Sequence, residues 1–150
     1  MTFPTRGRHS LPAARSAAAA RQTSPPVCRA AGPQHCVIPD WLPPPVLNTS
    51  RQRHWATVRR EVNKVKETVW GSAKHAGWER LECKARLTVV FVHPVKRTRD
   101  EDNTVARAKH VIDGLKPFFV EDSPEWLERH VRAEVRPGVK QTELTLEPIA

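Results

Sequence analysis

"LECKARLTVVFVH", residues 81 to 93, alternates through its first half and then stops alternating. Leu81, Cys83, Ala85, Leu87, Val89 and Phe91 fall on one side and Glu82, Lys84, Arg86 and Thr88 on the other, the period-two pattern of a strand with one wet face. By "VVFV" both sides are apolar, so the strand ends buried on both faces, as a central strand does. Such a strand needs paired neighbours and a cover for its apolar face, and the flanking sequence offers both. "LERHVRAEV" (127–135) and "TELTLEP" (142–148, with Leu144 and Leu146 on one side) read as two more strands, expected to run antiparallel on either side of the turn "RPGVK". Upstream, Trp55, Val58, Val62, Val65, Val69 and Ala73 recur every three or four residues, the core stripe of an amphipathic helix, while Arg59, Arg60, Lys64 and Lys66 lie away from it. Thr49 or Ser50 is placed to cap that helix and Gly77 to end it. A second helix is expected from Asp102, capped by Asp102 or Thr104, with Gly114 just past its end and Pro117 beyond. The class is therefore α+β, a small mixed sheet with two main helices.

The chain has 150 residues, enough for one domain. Residues 1–39 contain five Arg, no Asp or Glu, and many Ala, Pro and Ser, so they are expected to form a disordered basic tail, with the folded domain spanning 40–150. That composition also suits an organellar transit peptide, but scattered prolines break any long amphipathic helix there. "DWLPPPVLNTS" (40–50) reads as an extended lead-in, because consecutive prolines forbid helix. A net charge of +9 favours a polyanionic partner. No apolar run is long enough to span a membrane, and a cytoplasmic protein is expected. Cys28, Cys36 and Cys83 lack C-x-x-C spacing, so reduced thiols are expected and a structural zinc site is not. His54, His75, His93, His110 and His130 show no zinc-hydrolase spacing.

Against that positive background, "RTRDEDNTVARAKHVIDGL" (97–115) is conspicuously acidic at its start. With Asp102 at zero and about 100° per residue, Lys109 and Asp113 fall within about 20° on either side, so all three project from one helix face. Asp100 precedes the helix, and "EDS" brings Glu121 and Asp122 back after the loop "KPFFV". Crowded carboxylates need a countercharge. Magnesium, with its preference for oxygen ligands and retained waters, is one source. An ion-pair network with Arg97, Arg99 and Lys109 is the other. The calcium hand is excluded, since glycine and glutamate are missing at its sixth and twelfth positions.

"DEDN" (100–103), "KHVIDGL" (109–115) and "EDSPE" (121–125), in that order, resemble the RusA family of Holliday junction resolvases, as does "LNTSRQRHW" (47–55) upstream. The resemblance covers roughly residues 40–147. It implies a small homodimeric endonuclease that uses Mg2+ and clustered aspartates to cut four-way DNA junctions by paired nicks, in recombination and repair. By position, Asp100, Asp102 and Asp122 match the metal-binding and catalytic acids and Lys109 the active-site lysine, with Asp113 and Asn103 secondary. Glu121 stands where the family has the first of two aspartates, so Glu121 and Asp122 are both candidate ligands. The lysine lies seven residues after Asp102, where some members have it four after, and both spacings keep it on one helix face. Arg51, Arg53, His54, Arg59, Lys96, Arg97 and Arg99 are the expected DNA contacts. Phe118, Phe119 and Trp126 can either wedge between bases or pack inside, and core packing is the expectation. The alternative function is a catalytically silent branched-DNA-binding protein of the same fold.

Overall fold

Strand β2 (Ala85–His93) is the centre of the fold in the computed structural model, whose described residues are 32–44, 54–97 and 101–149. Around it, in chain order, lie β1 (Gln34–Pro39), α1 (Trp55–His75), α2 (Glu101–Leu115), a 3-10 turn (Lys116–Phe118), β3 (Leu127–Val135) and β4 (Gln141–Pro148). The sheet order is β1-β4-β2-β3. β3 runs parallel to β2, from Ala85↔Leu127 to His93↔Val135, and β4 runs antiparallel on the other edge, from Ala85↔Pro148 to Val92↔Gln141. The expected α+β class is what the structure shows, with two helices and four mixed strands where three strands were read.

Two expectations about the sheet are corrected. β3 and β4 are not hydrogen-bonded partners, because β2 lies between them. The chain after β3 passes across the end of β2, where the Arg136 N–H donates to the His93 carbonyl at 3.0 Å, and so delivers β4 to the opposite edge. A strand as apolar as β2 is best satisfied with both edges paired, and the five residues from Arg136 to Lys140 are long enough to make that crossing. The second correction concerns the tail boundary. Gln34–Pro39, assigned by composition to the tail, forms β1 and pairs with β4 from Gln34↔Leu146 to Pro39↔Gln141. Its alternation of buried Cys36 and Ile38 with exposed Val37 is the strand signal that the basic composition masked.

The helices cover one face of the sheet. Leu87, Val89 and Phe91 of β2, Leu144 and Leu146 of β4, and Cys36 and Ile38 of β1 join Val65, Val69 and Ala73 of α1 and Ala108, Val111, Ile112 and Leu115 of α2 in a single buried cluster. Phe118 and Phe119 are buried, as expected, and Trp126 is half-buried. The Phe118 carbonyl accepts from the Leu81 N–H at 2.9 Å, and its ring meets Trp78 edge-on at 5.6 Å. The α1 stripe is core only in its second half: Val58 and Val62 are half-buried, and Trp55 is 68% exposed, because the helix begins beyond the edge of the core. The cap is also not Thr49 or Ser50, positions that lie outside the described residues. His54 takes it, with extended backbone and a ring Nδ1 that accepts from the Ala56 N–H at 3.3 Å. Gly77 does mark the far end, in the left-handed region at φ +80° that only glycine enters at no cost.

On the other face, cross-strand ion pairs replace apolar cover. Arg86 bridges Glu128 of β3 at 3.0 Å and Glu147 of β4 at 3.3 Å along one register row. Arg136, just past the end of β3, binds Glu134 of β3 and Glu143 of β4. Cys36 is a free, buried thiol, whereas Cys83 is disulfide-bonded, which corrects the expectation of reduced thiols. Among the described residues no helix is long and apolar enough to cross a membrane.

Gly114 is not past the end of α2, as the sequence suggested, but inside it and buried. A Cβ there would stand 2.9 Å from the Lys66 carbonyl oxygen and 3.0 Å from its Cα, so glycine lets the backbones of α1 and α2 touch. Gly114→Ala should therefore destabilise the protein by about 1–3 kcal/mol, the cost of overpacking against backbone, despite alanine's better helix propensity. The check is the urea midpoint; a midpoint equal to or above that of the wild type would show that the helices separate freely.

Candidate functional site

α2 does not fully cover β3, and the gap is a cleft. Along β3, Arg129, Ala133 and Val135 are exposed on the helix side and Val131 is half-buried. One part of the cleft, about 610 Å³, lies between Val105, Ala106, Lys109, Ile112 and Asp113 of α2 and Asp122, Arg129 and Val131. A second part, about 520 Å³, is lined by Lys96, Arg97, Thr104, Val105, Val131, Arg132, Ala133 and Val135. The two share Val105 and Val131, so they form one continuous groove along the helix.

The groove-lining positions of α2 recur every three or four residues, the spacing that brings side chains onto one face. Lys109 and Asp113 thus share a face as expected, and Asp102 extends that face one turn further, exposed in the first turn of the helix. Shared face does not mean shared site. Eleven residues at about 1.5 Å each put Asp102 about 16 Å along the axis from Asp113. Asp122 belongs to the Asp113 end, and Lys96 and Arg97, both exposed, belong to the end where α2 begins.

The carboxylates of the Asp113 end are already matched by cations. Asp113 Oδ1 lies 3.0 Å from Lys116 Nζ, and its other oxygen 4.0 Å from His110 Nδ1. Asp122 Oδ1 lies 3.4 Å from Arg129 Nη1, an ion pair whose geometry leaves that buried oxygen without a hydrogen bond. The contact with Asp113 holds the Lys116 ammonium above its usual range. Burial pushes the His110 imidazole below its usual range, helped by Lys66 and Lys109 and opposed by Asp113.

The other expected residues are dispersed. Asn103 is exposed beside Asp102, and Glu121 is exposed next to Lys116 and Asp122, outside the main groove. His54 caps α1, and Arg59 is exposed on that helix, neither lining the groove. Asp100, Arg51, Arg53 and Arg99 lie outside the described residues. Among the described residues no group of three or more His, Cys, Asp or Glu side chains could hold a metal ion. Asp122 and Glu121 sit with Lys116 and Arg129, at the end of the helix remote from Asp102, so they do not fit as ligands to one ion shared with Asp102 in a single chain. Asp102 alone, exposed at the basic end, suits a hydrated magnesium ion, which commonly takes one or two carboxylates and completes its shell with water and phosphate.

Arg129, Lys116 and His110 were not singled out from sequence. Arg129 had a readable signal, being the charged residue on the Leu127–Val131–Ala133–Val135 side of "LERHVRAEV". Lys116 and His110 had only helical spacing to Asp113. Compared with known proteins, the chain matches no family model and no curated protein.

Because its folded value is depressed, His110 binds its proton more readily in the unfolded chain. Its neutral form contributes in full above the ordinary histidine value of 6.5, and that contribution is lost as pH falls through the folded value. Stability should thus fall on acidification below about pH 6.5, more steeply in the wild type than in His110→Gln. Parallel denaturation series across pH 4.5–7.5 test this, and superimposable slopes would remove His110 from the account.

Proposed function

We propose that the chain is a magnesium-dependent, structure-selective endodeoxyribonuclease of RusA type, acting on four-way junctions. The observation that carries the reading is the groove itself. Lys96, Arg97 and Arg132 line one end of it, and the α2 face that begins at Asp102 and continues through Lys109 and Asp113 runs along it. Cations of this kind hold a phosphate backbone by displacing its counterions. Exposed Asp102 would hold the metal, together with its motif neighbour Asp100, and a bound Mg2+ supplies a lowered water pKa and charge stabilisation at phosphate. Lys109, exposed two turns along the same face, is available to offset charge that develops on a phosphate lying in the groove. The order of "DEDN", "KHVIDGL" and "EDSPE" adds the resemblance-based support. Two junction strands require two cuts, which a twofold homodimer provides.

One observation favours the alternative, a silent branched-DNA binder of the same fold. Asp113 and Asp122 are neutralised by Lys116 and Arg129, and the described residues include no metal-capable cluster. A labelled four-way junction titrated with magnesium separates the two readings. The nuclease gives paired nicks, and Asp102→Asn lowers the cutting rate by about a hundredfold or more while junction affinity stays within about twofold. Retarded junction with no nicking at any magnesium concentration would leave only the binder.

A further inference from the structure

β3 is an edge strand whose outer side is left open. Among the described residues its one neighbour in the sheet is β2. The Ala85 N–H donates to the Trp126 carbonyl and the Arg136 N–H to the His93 carbonyl, each at 3.0 Å, so the even-numbered residues of this stretch turn their main-chain groups toward β2. By the alternation of a strand, Arg129, Val131, Ala133 and Val135 turn theirs outward, to the rim of the sheet. A long open edge of this kind is a template for another strand. The opposite edge is less suited, since β1 has six residues and ends in Pro39, whereas β3 has nine and no proline. β3 also carries uncovered apolar side chains, with Ala133 exposed and Val135 45% exposed.

We infer that the open edge of β3 is where a second copy of this chain docks, the two β3 strands running antiparallel about a twofold axis at Ala133. The occupant follows from the strand's sequence read against itself. Outward-turned residues exchange hydrogen bonds only with outward-turned residues, so the axis falls on a residue rather than between two. At Glu128, Arg129, Arg132 or Glu134 it would set a charge against its own copy, which is destabilising. At Val131 it would set Glu128 against the partner's Glu134, and at Leu127 or Val135 it would leave most of the strand unpaired. An axis at His130 matches Glu128 with the partner's Arg132 but leaves Val135 beyond the paired stretch. An axis at Ala133 sets Arg132 against the partner's Glu134 and Val131 against the partner's Val135, each twice, with Ala133 facing its own copy. Val131, Ala133 and Val135 then exchange about six main-chain hydrogen bonds across the junction. The register that matches the charges is thus also the one that covers the exposed apolar positions. It extends the sheet with both α2 helices on one side, so the two grooves lie next to each other across the paired strands. The inference rests on the proposed reading only in expecting two copies, for which it supplies the surface; it needs neither DNA nor metal.

The test uses the full chain with chelator and without DNA, its mass followed by sedimentation velocity across the micromolar range. The wild type should sediment as a dimer. Ala133→Lys brings two ammonium groups together at the axis, and Ala133→Pro removes an edge N–H that β2 does not use. Each should weaken the dimer about tenfold or more while the circular dichroism spectrum stays unchanged. Ala133→Cys should give a covalent dimer under mild oxidation, since facing residues of a hydrogen-bonded pair have Cα atoms about 5.5 Å apart. His130→Cys, whose two copies would stand about 20 Å apart, should not, with the wild type as the control for the chain's own cysteines. A wild-type chain that stays monomeric, or a dimer that Ala133→Lys leaves intact, overturns the inference. So does equal cross-linking of the two cysteine variants. Junction cutting is followed separately with magnesium. A dimer that responds at Ala133 but never cuts sinks the nuclease alone, and paired cutting by a dimer indifferent to Ala133→Lys sinks this edge alone.

Discussion

The rest of the molecule depends on one strand being apolar on both faces and paired on both edges. β2 places Leu87, Val89 and Phe91 under the helices and keeps Val90 and Val92 buried on the opposite face. It takes β3 on one edge and β4 on the other. Burial at roughly 25 cal/mol per Å² rewards this arrangement, and it leaves β3, the less buried strand, at the margin of the sheet. The groove is a direct result. A helix of fifteen residues returns the chain from the end of β2 to the start of β3 and approaches β3 without closing over it, so Arg129, Ala133 and Val135 stay exposed along the gap.

Charge is then distributed along that gap. Where α2 begins, Lys96, Arg97 and Asp102 are all exposed. Where it ends, both acids of the groove have a cation close by: Asp113 has Lys116, and Asp122 has Arg129. The end with exposed, unmatched basic side chains is therefore distinct from the end that is internally balanced. Surface pairs of this kind contribute about 0–1 kcal/mol, so their effect is chiefly on the local field rather than on stability.

Much of the fold was legible because local periodicity reports local structure. The alternation in 81–93, the stripe of Val65, Val69 and Ala73, and the face shared by Lys109 and Asp113 all follow from the geometry of a few consecutive residues. What was not legible depends on contacts distant in sequence. Which edge of β2 accepts β4 is decided by the sheet as a whole, and β1 was hidden because a basic, proline-rich surrounding outweighed two buried side chains. Gly114 read as a helix stop, since its tight contact with Lys66 involves a residue 48 positions away. The candidate site was readable as a helix face. The separation of Asp102 from Asp122 was not, because adjacency of motifs in sequence says nothing about which end of a helix the returning loop reaches.

The position of β4 between β1 and β2 has a consequence in time. β1, near the start of the described chain, has β4 as its sheet neighbour, and β4 occupies the last positions before Ile149. During synthesis the helices and the β2–β3 pair can assemble as they emerge, but the sheet cannot close until Gln141–Pro148 has left the ribosome. Until then Cys36 and Ile38 have no strand to dock on, and the first strand made must wait for the last.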